Sequence, residues 1–150
     1  MNAVVSHENE LLLNTVQCFL KDEIYPHEDA VDRSGEVPLE LGRQIEARAK
    51  EVGLFAANLP EAVGGGGLNY TSSSIVEREY GKTTHALQSW IARPTELLLA
   101  CEGDQVARYL DPCVTGEKRE LFALTEPEAG SDVMGMKTNA KRDGRDWILN

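Results

Sequence analysis

A chain of 150 residues, 41% hydrophobic and 27% charged, holds enough apolar material for one domain with a real core, or one domain and the start of another. Its formal net charge of -10 excludes nucleic acid or an anionic membrane surface as main partner, since both need a basic patch. A phosphate-bearing ligand stays open, because backbone N–H groups and a few local cations can hold one.

Cys18, Cys101 and Cys113 are too few and too scattered for a disulfide framework or a zinc site, and they fit a reducing compartment. No apolar run approaches the roughly 18 residues of a membrane span. Met1 to His7 shows no basic n-region, no apolar h-region and no Arg-rich amphipathic stretch, so a cytoplasmic location without a targeting segment is expected.

The first predicted helix runs from about Ser6 to Tyr25, with Leu12, Val16, Phe19, Leu20 and Ile24 at helical spacing. Pro26 ends or kinks it, and a polar connection from Glu28 to Glu36 follows. A second helix spans about Pro38 to Val52, with stripe Leu41, Ile45, Ala49 and Val52, and Gly53 stops it. Four consecutive glycines, Gly64 to Gly67, are costly to order. The loop is therefore either a mobile linker or a stretch the fold requires.

Thr71 to Tyr80 reads as a third helix, with capping-box spacing at Ser74 and Glu77. A fourth covers about Thr84 to Ile91. Arg93-Pro94 breaks the chain, and Thr95 caps a short helix through Ala100. Gly103-Asp104 opens another to about Leu110. After Gly116 the period changes. Leu121 to Leu124 looks like a buried strand, and Met136, Thr138 and Ala140 alternate with Lys137, Asn139 and Lys141 as a half-buried strand would. Asp143-Gly144 signals a hairpin with Trp147 and Leu149 on its return strand. The fold class expected is mostly α: an up-and-down helical bundle over residues 1–116, then the first strands of a β-barrel-like domain over 117–150, cut before that domain is complete.

The densest chemistry lies in Thr125-Glu126-Pro127-Glu128-Ala129-Gly130-Ser131-Asp132. An apolar run opening into a Pro-then-Gly turn is a strand leaving a core. Gly130 permits close backbone approach or positive φ, and N–H groups around a Gly-Ser turn can form a nest for a diphosphate. A plain surface turn has the same composition. Other chemistries fail on spacing. Gly81-Lys82-Thr83 lacks the upstream glycine of a P-loop, with Val76 in its place. The glycine run does not complete a dinucleotide fingerprint. Ser131 lacks nucleophile-elbow flanks. His7, His27 and His85 lack ligand spacing. Glu126, Glu128 and Asp132 could mimic a catalytic carboxylate set, but acids crowded in a turn are usually solvated.

In order, Phe122-Ala123-Leu124-Thr125-Glu126-Pro127-Glu128-Ala129-Gly130-Ser131-Asp132 resembles the flavin-binding signature of the acyl-CoA dehydrogenases, T-E-P-x-A-G-S-D after an aromatic and small or apolar residues. Pro60-Glu61-Ala62-Val63-Gly64-Gly65-Gly66-Gly67-Leu68 is similar to the family's P-E-x-x-G-G-x-G-L. Gln105, Arg108, Tyr109 and Leu110 match its G-T-x-x-Q-K-x-R-Y-L, although the initial Gly-Thr is replaced and Arg93-Pro94 is unusual. The resemblance covers nearly the whole chain.

It implies FAD as cofactor and α,β-dehydrogenation of an acyl-CoA, with electrons passing to an electron-transferring flavoprotein. It also implies a homo-oligomeric parent in fatty acid metabolism. Phe122 and Leu124 would border the isoalloxazine and Thr125 would hydrogen-bond near N5. Gly130 and Ser131 would meet the FAD diphosphate or ribityl region, with Ser131 also near the acyl-CoA. Asp132 would be a loop-stabilising acceptor. The family's base, a Glu of its C-terminal helical domain, matches no position here, so no catalytic residue is assigned. This chain alone is expected to bind FAD weakly or not at all and to be inactive. An acyl-CoA oxidase-like reaction and a non-enzymatic helical assembly module are the alternatives.

Overall fold

The computed structural model describes residues 6–150. The start read above for a targeting segment lies mostly outside them. The chain forms two compact units, one ending at Glu120 and one running from Leu121 to Asn150. The first is helical and the second carries the β structure, so the mostly α expectation holds.

In the helical unit, α1 (His7–Phe19) starts at Ser6, whose Oγ accepts the Asn9 N–H at 3.3 Å. The predicted stripe is the buried one: Val16, Phe19, Leu20 and Ile24 are in the core, with Leu12 packed at its edge. Burying each such side chain contributes roughly 1.5–3 kcal/mol. Pro26 neither ends the helix nor leaves a polar connection behind it. A π turn, Leu20–Ile24, leads into α2 (Tyr25–Ser34), and the Tyr25 N–H donates to the Leu20 carbonyl. The wider turn opens the ladder just ahead of proline, which has no N–H and crowds the preceding turn. Gly35, at φ 74°, then caps α2 in the left-handed conformation.

The same device recurs near the end of this unit. A π turn, Val106–Leu110, leads into α6 (Asp111–Thr115) with Pro112 two residues on. The helix predicted to stop at Leu110 therefore continues to Thr115. Between the two, α3 (Leu39–Glu51) buries Ile45 and Ala49. Its successor α4 (Tyr70–Tyr80) is capped by Asn69, whose side chain accepts from the Ser72 N–H, rather than by Ser74. α5 (His85–Gln88) and a 3-10 turn, Glu96–Ala100, complete the unit.

Helix α1 packs on α4 and α2 on α5. Polar links cross the first contact: Ser72 Oγ donates to Asn9 Oδ1 at 2.8 Å, and Gln17 Nε2 donates to Glu79 Oε2 at 3.2 Å. Glu79 is 2% exposed, and Lys82 Nζ at 2.5 Å and Arg78 at 3.1 Å complete its shell.

The glycine run is required by the fold. The N–H groups of Gly65, Gly66, Gly67 and Leu68 donate to the carbonyls of Pro60, Ala56, Leu59 and Ala57. A Cβ on Gly65 would sit 2.2 Å from the Leu59 carbonyl oxygen. The glycines let two stretches of backbone run against each other, so the mobile-linker alternative is set aside.

In the second unit, β1 (Ala140–Asp143) pairs antiparallel with β2 (Asp146–Leu149), with Ala140 opposite Leu149 and Asp143 opposite Asp146. The loop is Gly144-Arg145, with Gly144 at φ 60°, as a two-residue hairpin requires at its first position. The strand predicted from Met136 begins only at Ala140. Leu121 to Leu124 forms no strand, and Leu121 and Phe122 are 97% and 78% exposed. A strand exists only with a partner, and none of the described residues pairs with this stretch.

Candidate functional site

The Thr125–Asp132 segment is organised by one reversal. Glu126 and Ala129 exchange both backbone hydrogen bonds, at 3.1 and 3.2 Å, with Pro127 and Glu128 at the corners. Proline suits the first corner because its φ is already set. The reversal makes Thr125 and Gly130 the next residues at its open end. Beyond them Ser131 and Asp132 lead into a 3-10 turn, Val133–Gly135, closed by the Gly135 N–H on the Asp132 carbonyl at 3.0 Å.

Glu126 fixes this turn to the chain that follows. Its two carboxylate oxygens accept the N–H groups of Lys137 and Thr138, each at 2.9 Å. The Lys137 N–H, then the Thr138 side chain and backbone, hold its carboxyl below the usual range. Glu128 pairs with the Lys137 ammonium. Sequence reasoning missed this role, having read the acids of the turn as solvated. The available signal was an acid before proline, placed to reach back to a nearby strand end. The hairpin pairing runs back as far as Asn139 and Asn150, which exchange both backbone hydrogen bonds at 3.2 Å, so Lys137 and Thr138 lie just ahead of it.

The groups proposed to meet a ligand are left unspent. The N–H groups of Phe122, Leu124, Thr125, Gly130 and Ser131 have no acceptor among the described residues, nor do the Thr125 and Ser131 hydroxyls. Leu124 is half-buried and the other four are exposed. Gly130 does not take positive φ, and a Cβ added to it would meet nothing within 4 Å. Thr125, Gly130 and Ser131 therefore lie together at the open end of the turn. Phe122 and Leu124 sit upstream in irregular chain, and no hydrogen bond among the described residues joins them to Gly130 or Ser131.

The helical unit has its own cleft, of about 390 Å³. Gln105, Tyr109 and Cys113, spaced along one helix face, form one wall, and Leu97, Leu98 and Cys101 face them. The charged heads near it are already paired: Lys118 Nζ donates to the Arg108 carbonyl at 2.9 Å, and Arg119 binds Glu46 at 2.7 Å.

Residues 6–117 match the description "Acyl-CoA dehydrogenase, N-terminal domain". The chain belongs to the acyl-CoA dehydrogenase family. It is 34% identical over 152 residues to the long-chain specific acyl-CoA dehydrogenase, mitochondrial, of Sus scrofa, covering 98% of this chain and 34% of that protein. It is 33% identical to the caffeyl-CoA reductase-Etf complex subunit CarC of Acetobacterium woodii, covering 97% of this chain and 39% of that one. In structure it is similar to an acyl-CoA dehydrogenase complexed with FAD from Bacillus anthracis. That match has TM-score 0.76 and 28% identity, covering 97% of this chain and 25% of that one. The chain thus spans about a third of the length of the relatives it matches. This acyl-CoA dehydrogenase-family chain holds the helical N-terminal domain, and the alignments run on through the Thr125–Asp132 turn.

Proposed function

We propose that this chain is the N-terminal part of an FAD-dependent acyl-CoA dehydrogenase that performs α,β-dehydrogenation of an acyl-CoA thioester. Residues 1–116 form its helical domain and 117–150 open its middle β domain. The observation that carries the reading is the set of unspent donors at Thr125, Gly130 and Ser131, on a turn held rigid by Glu126. The open space at Gly130 fits a ligand approaching the backbone closely. Bound FAD would supply the hydride acceptor.

The residues present fit that cofactor. Phe122 and Leu124 offer an apolar edge for the flavin ring. The Thr125 hydroxyl and N–H are donors of the kind that stabilise charge on a reduced flavin. Gly130 and Ser131 supply N–H groups for a diphosphate, and the Ser131 hydroxyl also serves the acyl-CoA. Glu126 holds the turn and is a positioning residue. The base that removes the α-proton belongs to sequence outside residues 1–150.

An electron-transferring flavoprotein is the proposed electron acceptor, in line with the Etf complex in the name of the Acetobacterium relative. A homo-oligomeric, cytoplasmic parent belongs to the same reading. The 150-residue chain alone is proposed to be inactive and to bind FAD weakly, because it carries only part of the cradle. The test is purification of a protein that carries these residues with the rest of the family's length. It should show flavin absorbance that bleaches with an acyl-CoA. A folded, colourless protein that takes up no FAD would contradict the proposal.

A further inference from the structure

Two buried side-chain oxygens of the helical unit, Asn58 Oδ1 and Tyr80 Oη, have no partner among the described residues. Both residues line one small cavity of about 20 Å³. The orientation of Asn58 is fixed, because its Nδ2 donates to the Pro94 carbonyl at 2.8 Å. A flipped amide would set oxygen against oxygen, so Oδ1 must face away from Pro94. Tyr80 is 1% exposed, and burial pushes its phenol well above the ordinary tyrosine range. It therefore remains an O–H donor at any physiological pH.

We propose that this cavity is a binding site for one water molecule, which accepts the Tyr80 O–H and donates to Asn58 Oδ1. The volume suits a single water, which needs at least about 10–15 Å³ and two to four polar partners. Ser73, two helical turns before Tyr80 on α4, lines the same cavity and brings a second hydroxyl, the third polar group there. Leu54, Ala57, Leu68 and Val76 supply apolar wall. Arg93, which also lines it, pairs with Glu77 at 2.5 Å and lies over the Tyr80 ring at 5.2 Å.

Magnitudes favour the water. Each buried polar atom left alone lowers the folded population roughly five- to a hundredfold. Immobilising one water costs at most about thirtyfold, so satisfying two atoms outweighs it over most of that range. The water would join α4 to the segment carrying Asn58, and through Asn58 to Pro94. It goes beyond the flavin reading and does not depend on it.

Tyr80→Phe is the test, because its sign differs between the two cases. With the water, removing the hydroxyl strips a bridged hydrogen bond, and the folded/unfolded ratio should fall about fivefold. In a cycle with Asn58→Ala, the double variant should lose less than the sum of the singles. Without it, Tyr80→Phe deletes an unpartnered buried hydroxyl, and stability should be unchanged or higher, which would overturn the proposal. A crystal structure of the 150-residue chain that resolves ordered solvent gives an independent readout. A water within hydrogen-bond distance of both oxygens is expected, and a dry cavity would overturn the proposal equally.

Discussion

The Arg119 guanidinium lies 4.0 Å from the centroid of the Trp90 ring and 2.7 Å from Glu46 on α3. Trp90 in turn fills the space over Gly42, where a Cβ would come within 2.1 Å of the indole. One side chain thus ties α3 and the Trp90 turn to the last residues of the helical unit. Planar stacking and bidentate charge are what arginine offers and lysine does not. Arg119→Ala should cost about 1–3 kcal/mol, summing a partly desolvated cation–π contact and a half-exposed ion pair. Arg119→Lys should lose part of this. Urea denaturation of the three proteins checks the order.

Gly65 and Gly130 separate a glycine the fold needs from one it does not. Gly65→Ala drives a methyl into the Leu59 carbonyl, an overpacking of backbone that should cost upwards of about 3 kcal/mol. Gly130→Ala meets open space and should leave the thermal midpoint within a degree or two of wild type, on the order of 0.5 kcal/mol. In a protein joining these residues to the rest of the family's length, the proposed flavin cradle predicts that the same methyl weakens FAD affinity. If Gly130→Ala unfolds the chain, the glycine has a structural role that the open surroundings do not account for.

Glu79 carries a pH dependence with a definite sign. Lys82 is the largest influence; burial opposes it, and Gln17 and Arg78 add to it, so the folded carboxyl titrates below its ordinary value. Its contribution is fully present above the unfolded-state pKa and is lost as pH falls through the lowered folded value. Wild type should therefore lose stability on acidification below the ordinary glutamate range. Glu79→Gln, which keeps a Gln17 partner but not the charge, should cost about 1–3 kcal/mol at neutral pH. The gap should narrow in acid. A gap that stays constant down to low pH would count against the buried charge.

Much of the helical unit was legible because its periodicity is strong: the stripe Val16, Phe19, Leu20 and Ile24 names the buried face directly. Pro26 misled, and the helix expected to stop at about Leu110 runs on past Pro112 by the same device. Sequence rules count the missing N–H of proline as a break, whereas a π turn placed just before it keeps the helix running. The strand expected at Leu121 to Leu124 does not form, because strands are made by partners and the described residues supply none. At the candidate site, the residue types of Thr125 to Ser131 could be read from order alone. The Glu126 clamp could not, since it depends on where Lys137 and Thr138 come to lie.

That clamp makes a local prediction. Glu126→Gln replaces one acceptor oxygen by a donor, so it cannot hold both N–H groups. Amide exchange at Lys137 and Thr138 should quicken, while exchange in α1 and α4 stays unchanged. Uniform acceleration across the chain would mean that Glu126 supports global stability instead.

Amide hydrogen exchange with and without FAD, on a protein joining these residues to the rest of the family's length, probes the unspent donors themselves. Saturating FAD should slow exchange at Phe122, Leu124, Thr125, Gly130 and Ser131. If FAD binds tightly, yet protects other segments and leaves residues 121–132 exchanging as before, this turn is not the flavin cradle.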